Sequence, residues 1–349
     1  MTHKHRLIAG SALIAVGLGM AVASASNGPM LHPGKTLYSF TGGTDGFRPN
    51  DDALAQDAQG NLYGTTRLGG AFRSGTVFEV SSAGIETVLY SFTGGSDGGA
   101  PLGGLIRDAQ GNLYGTTSTG GAHKKGTVFK ITPSGAETVL YSFKGGSDGK
   151  TPVASLIADA QGNLYGTTVV GGLLASRACG TKGCGTVFSL SATGKEKALH
   201  RFAGGADGTN PLGRLLLDSN GNLYGTTSAN GGQYGWGTVF KVTQAGVETV
   251  LYSFTGSDTG VVPTGNLVLD SQGNLYGTTY YGGNCGFNSG CGTVFELSPS
   301  GVETVLHSFA GHSDGQGPGS LIQDANGNLY GVTQDGGPSD FGTLYKVVP

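Results

Sequence analysis

The sequence predicts an all-β fold, a six-bladed β-propeller of four-stranded antiparallel blades, from three observations. The string NLYG occurs six times at intervals of roughly fifty residues, beginning at Asn61, Asn112, Asn163, Asn222, Asn274 and Asn328. Each repeat contains four short apolar runs bounded by Gly, Asn, Asp or Pro, as strands are. The runs are apolar on both faces, so each repeat must stack between two neighbours, and radial stacking forms a propeller. A linear β-solenoid is the alternative, but its coils are usually shorter and no distinct caps are found.

The four strands follow one another in the same order in each repeat. The first run, such as SLIAD at 155–159, ends in an Asp-x-x-Gly-Asn sequence that predicts a tight hairpin turn. The second run is NLYGTT, and the third is GTVF, which follows a Gly-Gly loop. The fourth is LYSF, entered through a Gly turn. Four antiparallel strands per repeat are therefore expected.

The two ends of the repeat region predict how the ring closes. The pattern opens with a fourth strand that begins at Leu37 and ends at Phe40, and it finishes with a third strand, GTLYKVVP, at 342–349. One strand is left over at the start and one is missing at the end. We therefore expect the strand from Leu37 to Phe40 to complete the last blade, within a propeller domain at 35–349.

The N-terminal residues have the order of a secretory signal peptide. Lys4 and Arg6 precede a long apolar run that ends in Ala23, Ser24 and Ala25. This predicts a signal at 1–25, a short linker at 26–34, and a secreted, periplasmic or cell-surface protein. An uncleaved membrane anchor is the alternative, because the run comes close to the length that spans a bilayer. No membrane span is expected after cleavage.

Composition and cysteine spacing restrict the partners. Only 12% of residues are charged, the formal net charge is -3, and no basic stripe is found, so nucleic acid is not expected as a partner. In an exported chain, Cys179 with Cys184 and Cys285 with Cys291 predict two local disulfides. A zinc site built from the four cysteines is the alternative, but no CxxC pair is present. A monomer is expected.

The recurring GNLYGTT, GTVF and LYSF phrases resemble those of the GloVer tandem-repeat family of exported bacterial proteins. The resemblance covers residues 35–349 and recurs six times in order. Many members of that family carry a C-terminal surface anchor or sorting segment. This chain ends in a predicted strand, so such attachment is not expected here. The resemblance implies the propeller fold and no established biochemical activity.

Two series of aspartates recur with the repeat. Because an Asp before Gly bonds its own turn backbone, and a catalytic residue is needed only once, we interpret both series as turn residues. Calcium bound by the Gly- and Asp-rich crossings is the alternative, and no other cofactor is expected. The crossing series is Asp45, Asp97, Asp148, Asp207, Asp258 and Asp314; the hairpin series is Asp57, Asp108, Asp159, Asp218, Asp270 and Asp324.

Residues that depart from the repeat are the candidate binding residues, because the fold does not require them. Most lie in the connections between second and third strands, which are expected to emerge on the same face as the crossings between blades. Aromatic side chains beside basic groups suit stacking on sugars or capture of a peptide. Packing over the blade tops is the alternative for several of them. The candidates are Arg67, Phe72, His123, Tyr234, Trp236, Tyr280, Tyr281, Phe287 and Phe341.

These observations predict a non-catalytic binding or scaffold module whose partner is an extracellular glycan, peptide or protein. The alternative is a metal-dependent enzyme of the lactonase or lyase kind, with acidic groups around the central channel. That alternative is not preferred, because the first strands have apolar interiors and no metal or catalytic set is apparent. His200 and His307 only replace the tyrosine of the fourth strand, which leaves His123 and His312 on the candidate face.

Overall fold

The computed structural model describes residues 36–49, 54–174, 176–228, 231–256, 258–283, 291–338 and 340–349. Within these residues the strands form six antiparallel sheets in chain order, and one 3₁₀ turn lies at His312–Asp314. This confirms the predicted all-β, six-bladed propeller. The predicted signal peptide and linker lie outside the described residues.

Each blade is a meander in which consecutive strands pair as neighbours. In the first and fifth blades the first strand is split into two segments that pair with the same second strand. The blades comprise β1 (Phe47–Pro49), β2 (Ala55–Gln56), β3 (Leu62–Leu68), β4 (Thr76–Val80) and β5 (Glu86–Ser91); β6 (Ile106–Arg107), β7 (Leu113–Thr117), β8 (Thr127–Ile131) and β9 (Glu137–Ser142); β10 (Ile157–Ala158), β11 (Leu164–Thr168), β12 (Thr186–Leu190) and β13 (Glu196–Arg201); β14 (Leu216–Leu217), β15 (Leu223–Thr227), β16 (Thr238–Val242) and β17 (Glu248–Ser253); β18 (Val261–Pro263), β19 (Val268–Leu269), β20 (Leu275–Tyr281), β21 (Thr293–Leu297) and β22 (Glu303–Ser308); and β23 (Gln316–Gln323), β24 (Leu329–Asp335) and β25 (Leu344–Val347).

The core lies between the blades and is built by pairs of phenylalanines. In the first four blades, the Phe that follows the fourth strand packs edge-on against the third-strand Phe of the next blade, and both rings are fully buried. The predicted two-faced apolar sheets therefore stack as the fold requires. The pairs and their ring-centroid distances are Phe92–Phe129 at 5.0 Å, Phe143–Phe188 at 5.1 Å, Phe202–Phe240 at 5.1 Å and Phe254–Phe295 at 5.2 Å.

The glycine of NLYG is required by the same packing. A Cβ on Gly166 would lie 2.8 Å from Cζ of Phe188 and 2.9 Å from Cδ2 of Leu156, which is closer than real Cβ contacts. The ring of the third-strand Phe therefore packs directly against the backbone of the second strand. This explains why the second run carries a small residue in the middle of a strand, where Gly is otherwise unfavourable.

The predicted ring closure is not confirmed. Residues 36–40 are described without a strand, and among the described residues β25 pairs only with β24. Tyr38 nevertheless donates a hydrogen bond to Asp45 at 2.9 Å, and Phe40 packs edge-on against Phe78 at 4.9 Å. These are the contacts that other fourth strands make with the following crossing and blade. The closing pair itself stays a prediction.

Removing residues 26–40 tests this closure. We expect the deletion to lower Tm by roughly 5–10 °C and to promote aggregation, because it uncovers Phe78 and leaves β25 as an open edge. The matched control removes residues 26–34 only and keeps the LYSF segment. Differential scanning calorimetry compares the two, and equal Tm values for both deletions and the uncut chain would show that residues 37–40 do not close the ring.

Candidate functional site

The variable connections and the blade crossings lie at the same end of the propeller, as predicted. In the first three blades, the Gly-Gly step of the variable connection donates a backbone hydrogen bond to the preceding crossing: Gly70 to Gly43 at 3.0 Å, Gly121 to Gly95 at 2.8 Å and Gly172 to Gly146 at 2.9 Å. The approach is close, because a Cβ on Gly120 would lie 2.6 Å from Cα of Gly98. We call this end, formed by the variable connections and the crossings, the loop face.

Backbone hydrogen bonds also join the variable connections to the next blade. The residue before the crossing proline donates its N–H to the end of the connection, as in Ala100 to Ser74 at 2.8 Å and Thr151 to Lys125 at 2.9 Å. This residue has a left-handed backbone in five blades, which costs of order 1–3 kcal/mol at a non-glycine residue. Sequence reasoning missed this feature. The residues are Arg48, Ala100, Thr151, Asn210 and Val262, with φ between 49° and 58°.

The crossing aspartates are held in hydrogen-bond networks. Asp97 accepts from Tyr90 at 3.0 Å and from the backbone N–H of Thr93 at 2.7 Å. Burial opposes ionisation of Asp45, but the hydrogen bonds from Thr41, Tyr38 and Gly43 outweigh it and lower its pKa to about 2. The aspartate carboxylates therefore stabilise the crossings through hydrogen bonds, which is consistent with the interpretation of these aspartates as turn residues.

The hairpin aspartates have a second, equally regular network. Asp159 accepts hydrogen bonds from the N–H groups of Gln161 and Asn163 at 3.0 and 2.8 Å, from the Asn163 side chain at 2.8 Å and from Tyr165 at 2.9 Å. Burial again opposes ionisation, and these donors lower the pKa of Asp159. This explains why Asp, Asn and Tyr recur together around each NLYG.

Five of the candidate binding residues on the loop face have exposed side chains that are not part of the core. Phe72 is 58% exposed, Tyr234 51% and Phe341 90%, and Arg67 and His123 are also exposed. They come from the variable connections of the first, second, fourth and sixth blades. The structure thus presents aromatic and basic groups from separate blades on one face.

The remaining candidates differ. Tyr281 is 37% exposed, but Tyr280 is half-buried and donates a hydrogen bond to Gln334 of the next blade at 2.7 Å. Trp236 packs against the cluster that contains Val239 and Phe254, so it contributes to the core beneath the face. Phe287 lies outside the described residues. The packing alternative therefore describes Trp236 and Tyr280 better than a free binding role.

A repeated glutamate at the start of the fourth strands was also missed. In five blades one carboxyl oxygen of this residue is buried and has no hydrogen-bond partner. Burial and then the nearby charge of Asp97 raise the pKa of Glu137 to about 7. The signal was present as the recurring ET before VLYS, but nothing in the sequence shows that it faces the preceding crossing. The residues are Glu86, Glu137, Glu196, Glu248 and Glu303.

The disulfide between Cys179 and Cys184 is present, with 5.4 Å between the Cα atoms. The second predicted pair involves Cys285, which lies outside the described residues. Ser176, next to the first pair, donates a hydrogen bond to the Ala203 carbonyl at 2.7 Å and so ties this connection to the following crossing. The disulfide and this hydrogen bond together hold the long connection against the rest of the propeller.

Reduction of the disulfides is expected to change Tm little while loosening the loop face. Closing so few residues stabilises the fold by at most roughly 2–3 kcal/mol on the chain-entropy estimate, and the core between the blades is untouched. Calorimetry with and without reductant measures the first effect, and proteolysis after Arg177 the second. Loss of the whole melting transition on reduction, or recovery of Cys179 linked to Cys291, would contradict this account.

The fold and its loop face define a β-propeller repeat protein. The Gloeobacter/Verrucomicrobia repeat matches residues 28–178 and 172–349, so the chain belongs to that family, which confirms the resemblance seen in the sequence. None of the curated proteins compared matches the sequence. No helix among the described residues is long and apolar enough to cross a membrane.

Two solved structures are similar in fold. A catalytically inactive virginiamycin B lyase from Staphylococcus aureus with quinupristin is 12% identical, with a TM-score of 0.55 over 85% of this chain and 84% of that chain. A luciferin-regenerating enzyme is 14% identical, with a TM-score of 0.50 over 85% of this chain and 91% of that one. At this identity the likeness extends to the fold alone.

Proposed function

We propose that this chain is an exported, non-catalytic binding module that holds a glycan or peptide against its loop face. The observation that carries the proposal is the exposure of Phe72, Tyr234 and Phe341 on connections of three different blades. Large aromatic rings exposed on a fold that fully buries phenylalanines between its blades are candidates for contact with a partner. The hydrogen-bonded connections hold these rings in place before binding, which reduces the entropy lost on association.

The charges on the face favour a glycan with acidic groups over a neutral one. Exposed basic residues lie on the connections of the first three blades and at the end of β3: Arg73, Lys124, Lys125 and Arg177 on the connections, and Arg67 in the strand. Sugar rings stack on aromatic faces, and carboxylate or sulfate groups pair with Arg and Lys. Export is supported by the N-terminal sequence and by the Cys179–Cys184 disulfide, which belongs to an oxidising compartment.

A metal-dependent lactonase or lyase is the competing function, and similarly folded enzymes are known. Such a site would draw its ligands from first strands around the central channel. In this chain, the residue directly before β6, β10, β14 and β19 is a buried leucine, at Leu105, Leu156, Leu215 and Leu267. These side chains support stacking of the blades, which favours the binding module over the enzyme.

A combined binding and turnover screen separates the two functions. The purified chain is applied to arrays of acidic glycans, neutral glycans and peptides, and the same sample is assayed on a panel of lactones with added divalent metals. We expect saturable binding to acidic glycans and no turnover. Hydrolysis or elimination that depends on added metal would overturn the proposal, and binding to peptides alone would identify a peptide module.

A further inference from the structure

One interface between blades differs chemically from the others. His200 is the fifth residue of β13, Asp207 lies in the following crossing, and Glu248 is the first residue of β17 in the next blade. Nε2 of His200 lies 2.9 Å from Oδ1 of Asp207. One ligand atom from each of the three side chains lies within 4.8 Å of the other two, and all three residues are half-buried. They are the only such group of His, Cys, Asp and Glu among the described residues.

The corresponding interfaces show what the fold itself requires here. In the preceding blade Tyr141 takes the place of His200 and donates to Asp148 at 2.9 Å, with Glu196 in the position of Glu248. A tyrosine that hydrogen-bonds the crossing carboxylate is therefore sufficient for stacking. Replacement by histidine adds a nitrogen ligand to two carboxylates, and the fold has no need of it.

The histidine interface between the fifth and sixth blades provides a comparison. His307 lies 3.3 Å from Asp314, but no glutamate from the sixth blade joins them among the described residues. The third ligand is therefore present at His200 and not at His307. His200 with Asp207 and Glu248 is the complete set.

The side chains of this set are held in place by groups outside it. Asp207 accepts the backbone N–H of Ala203 through Oδ2, which leaves Oδ1 directed at His200. The His200 ring packs edge-on against Phe202 at 4.8 Å. Oε1 of Glu248 is buried with no hydrogen-bond partner, as is Oε1 of the equivalent glutamate in four other blades, but among the described residues only Glu248 has a histidine nitrogen and a second carboxylate within 4.8 Å. Imidazole with two carboxylates is a ligand set that zinc accepts, whereas calcium prefers oxygen ligands throughout.

We propose that His200, Asp207 and Glu248 bind one Zn²⁺ ion between the third and fourth blades. Ligand atoms around a tetrahedral zinc lie about 3.4 Å apart. Binding therefore requires the hydrogen-bonded atoms Nε2 of His200 and Oδ1 of Asp207, now 2.9 Å apart, to separate slightly around the ion, and Glu248, within 4.8 Å of both, to move toward it. The fourth position is open to water or to a donor from a ligand. The ion joins the crossing to the next blade at the edge formed by the fourth strands, away from the first strands.

Zinc titration of the chelator-treated, dialysed full chain tests the site, by calorimetry and by thermal shift. We expect about one ion per chain and a rise in Tm. His200→Tyr installs the residue found at Tyr141 and so preserves the fold; it should weaken zinc binding about 100-fold or more, beyond the typical loss of a supporting group. Glu248→Gln should also weaken it.

A gain of binding completes the test. Tyr141→His places a histidine beside Asp148 and Glu196, and it should raise the stoichiometry from about one ion to about two; Tyr141→Phe is the matched control and should leave it at one. Zinc binding that persists unchanged in His200→Tyr would overturn the proposal, because other histidines would then be responsible. Calcium stabilising the native chain and His200→Tyr equally, without a zinc effect, would overturn it as well.

Discussion

Replacing Phe143 with alanine is expected to destabilise the propeller by about 3–5 kcal/mol, the usual cost of truncating a fully buried Phe. Phe143 follows the fourth strand of the second blade, and its ring packs edge-on against Phe188 of the third. The same cluster contains Val128, Leu156 and Leu190, so the cavity would open between two blades at once. A loss of this size is a large share of the stability of an ordinary domain.

Urea denaturation at equilibrium measures this loss. Phe341→Ala is the control, because the Phe341 ring is 90% exposed and its truncation should change the unfolding free energy by less than about 0.5 kcal/mol. Similar effects for the two variants would mean that stacking of phenylalanines between blades does not hold the fold together.

Raising the pH from 5 to 8 is expected to destabilise the protein, and Glu137, Glu196 and Glu303 together contribute roughly 3 kcal/mol of this loss, or about 1 kcal/mol each after solvent screening is allowed for. Burial raises the pKa of Glu137, Glu196 and Glu303 to about 7, and the charges of nearby aspartates add to the effect at the first two. Because the pKa in the folded state is above the unfolded value of 4.5, this stabilising contribution is complete below pH 4.5 and is lost as pH rises through 7.

The hairpin and crossing aspartates act in the opposite direction. Hydrogen bonds outweigh burial and lower the pKa of Asp159 and Asp45, so their contribution is present above the unfolded value of 3.8 and is lost as the pH falls. Maximum stability is therefore expected at about pH 5–6. The loss of stability above this range arises from glutamates whose pKa is raised, and the loss below it arises from aspartates whose pKa is lowered.

Denaturation curves across this pH range, recorded in a chelator, test the assignment. Replacing these three glutamates with glutamine should reduce the decline above pH 6 by roughly 3 kcal/mol, whereas Glu79→Gln removes one carboxyl from β4 and should leave the decline in place. A decline of equal size in the triple variant would show that other groups cause it.

Blade number, strand order and both aspartate networks could be predicted from the sequence, because the repeat presents each of them six times. The left-handed backbone at Thr151 and Val262 could not be predicted, since tertiary hydrogen bonds impose a conformation that β-branched residues avoid. The sequence left open whether Trp236 is free or packed, because residues of a connection can point to solvent or into the blade below. The meeting of His200 with Glu248 depends on how far one fourth strand is offset from the next, which spacing along the chain does not reveal.

The proposed binding function depends on which end of the propeller makes contact. The turns between third and fourth strands lie at the opposite end and also expose apolar side chains: Ile85 is 67% exposed, Val247 60% and Val302 61%. They provide a matched control for the aromatic residues of the loop face.

The affinity of one array-identified ligand for two triple variants is the most direct measurement of this claim. Phe72→Ser, Tyr234→Ser and Phe341→Ser together should weaken binding about 100-fold or more, because aromatic anchors typically carry about 2 kcal/mol or more each. Ile85→Ser, Val247→Ser and Val302→Ser together should leave the affinity within about threefold of the native chain, since surface changes away from the contact are nearly neutral. The reverse result, with binding lost only in the second variant, would contradict a ligand site on the loop face.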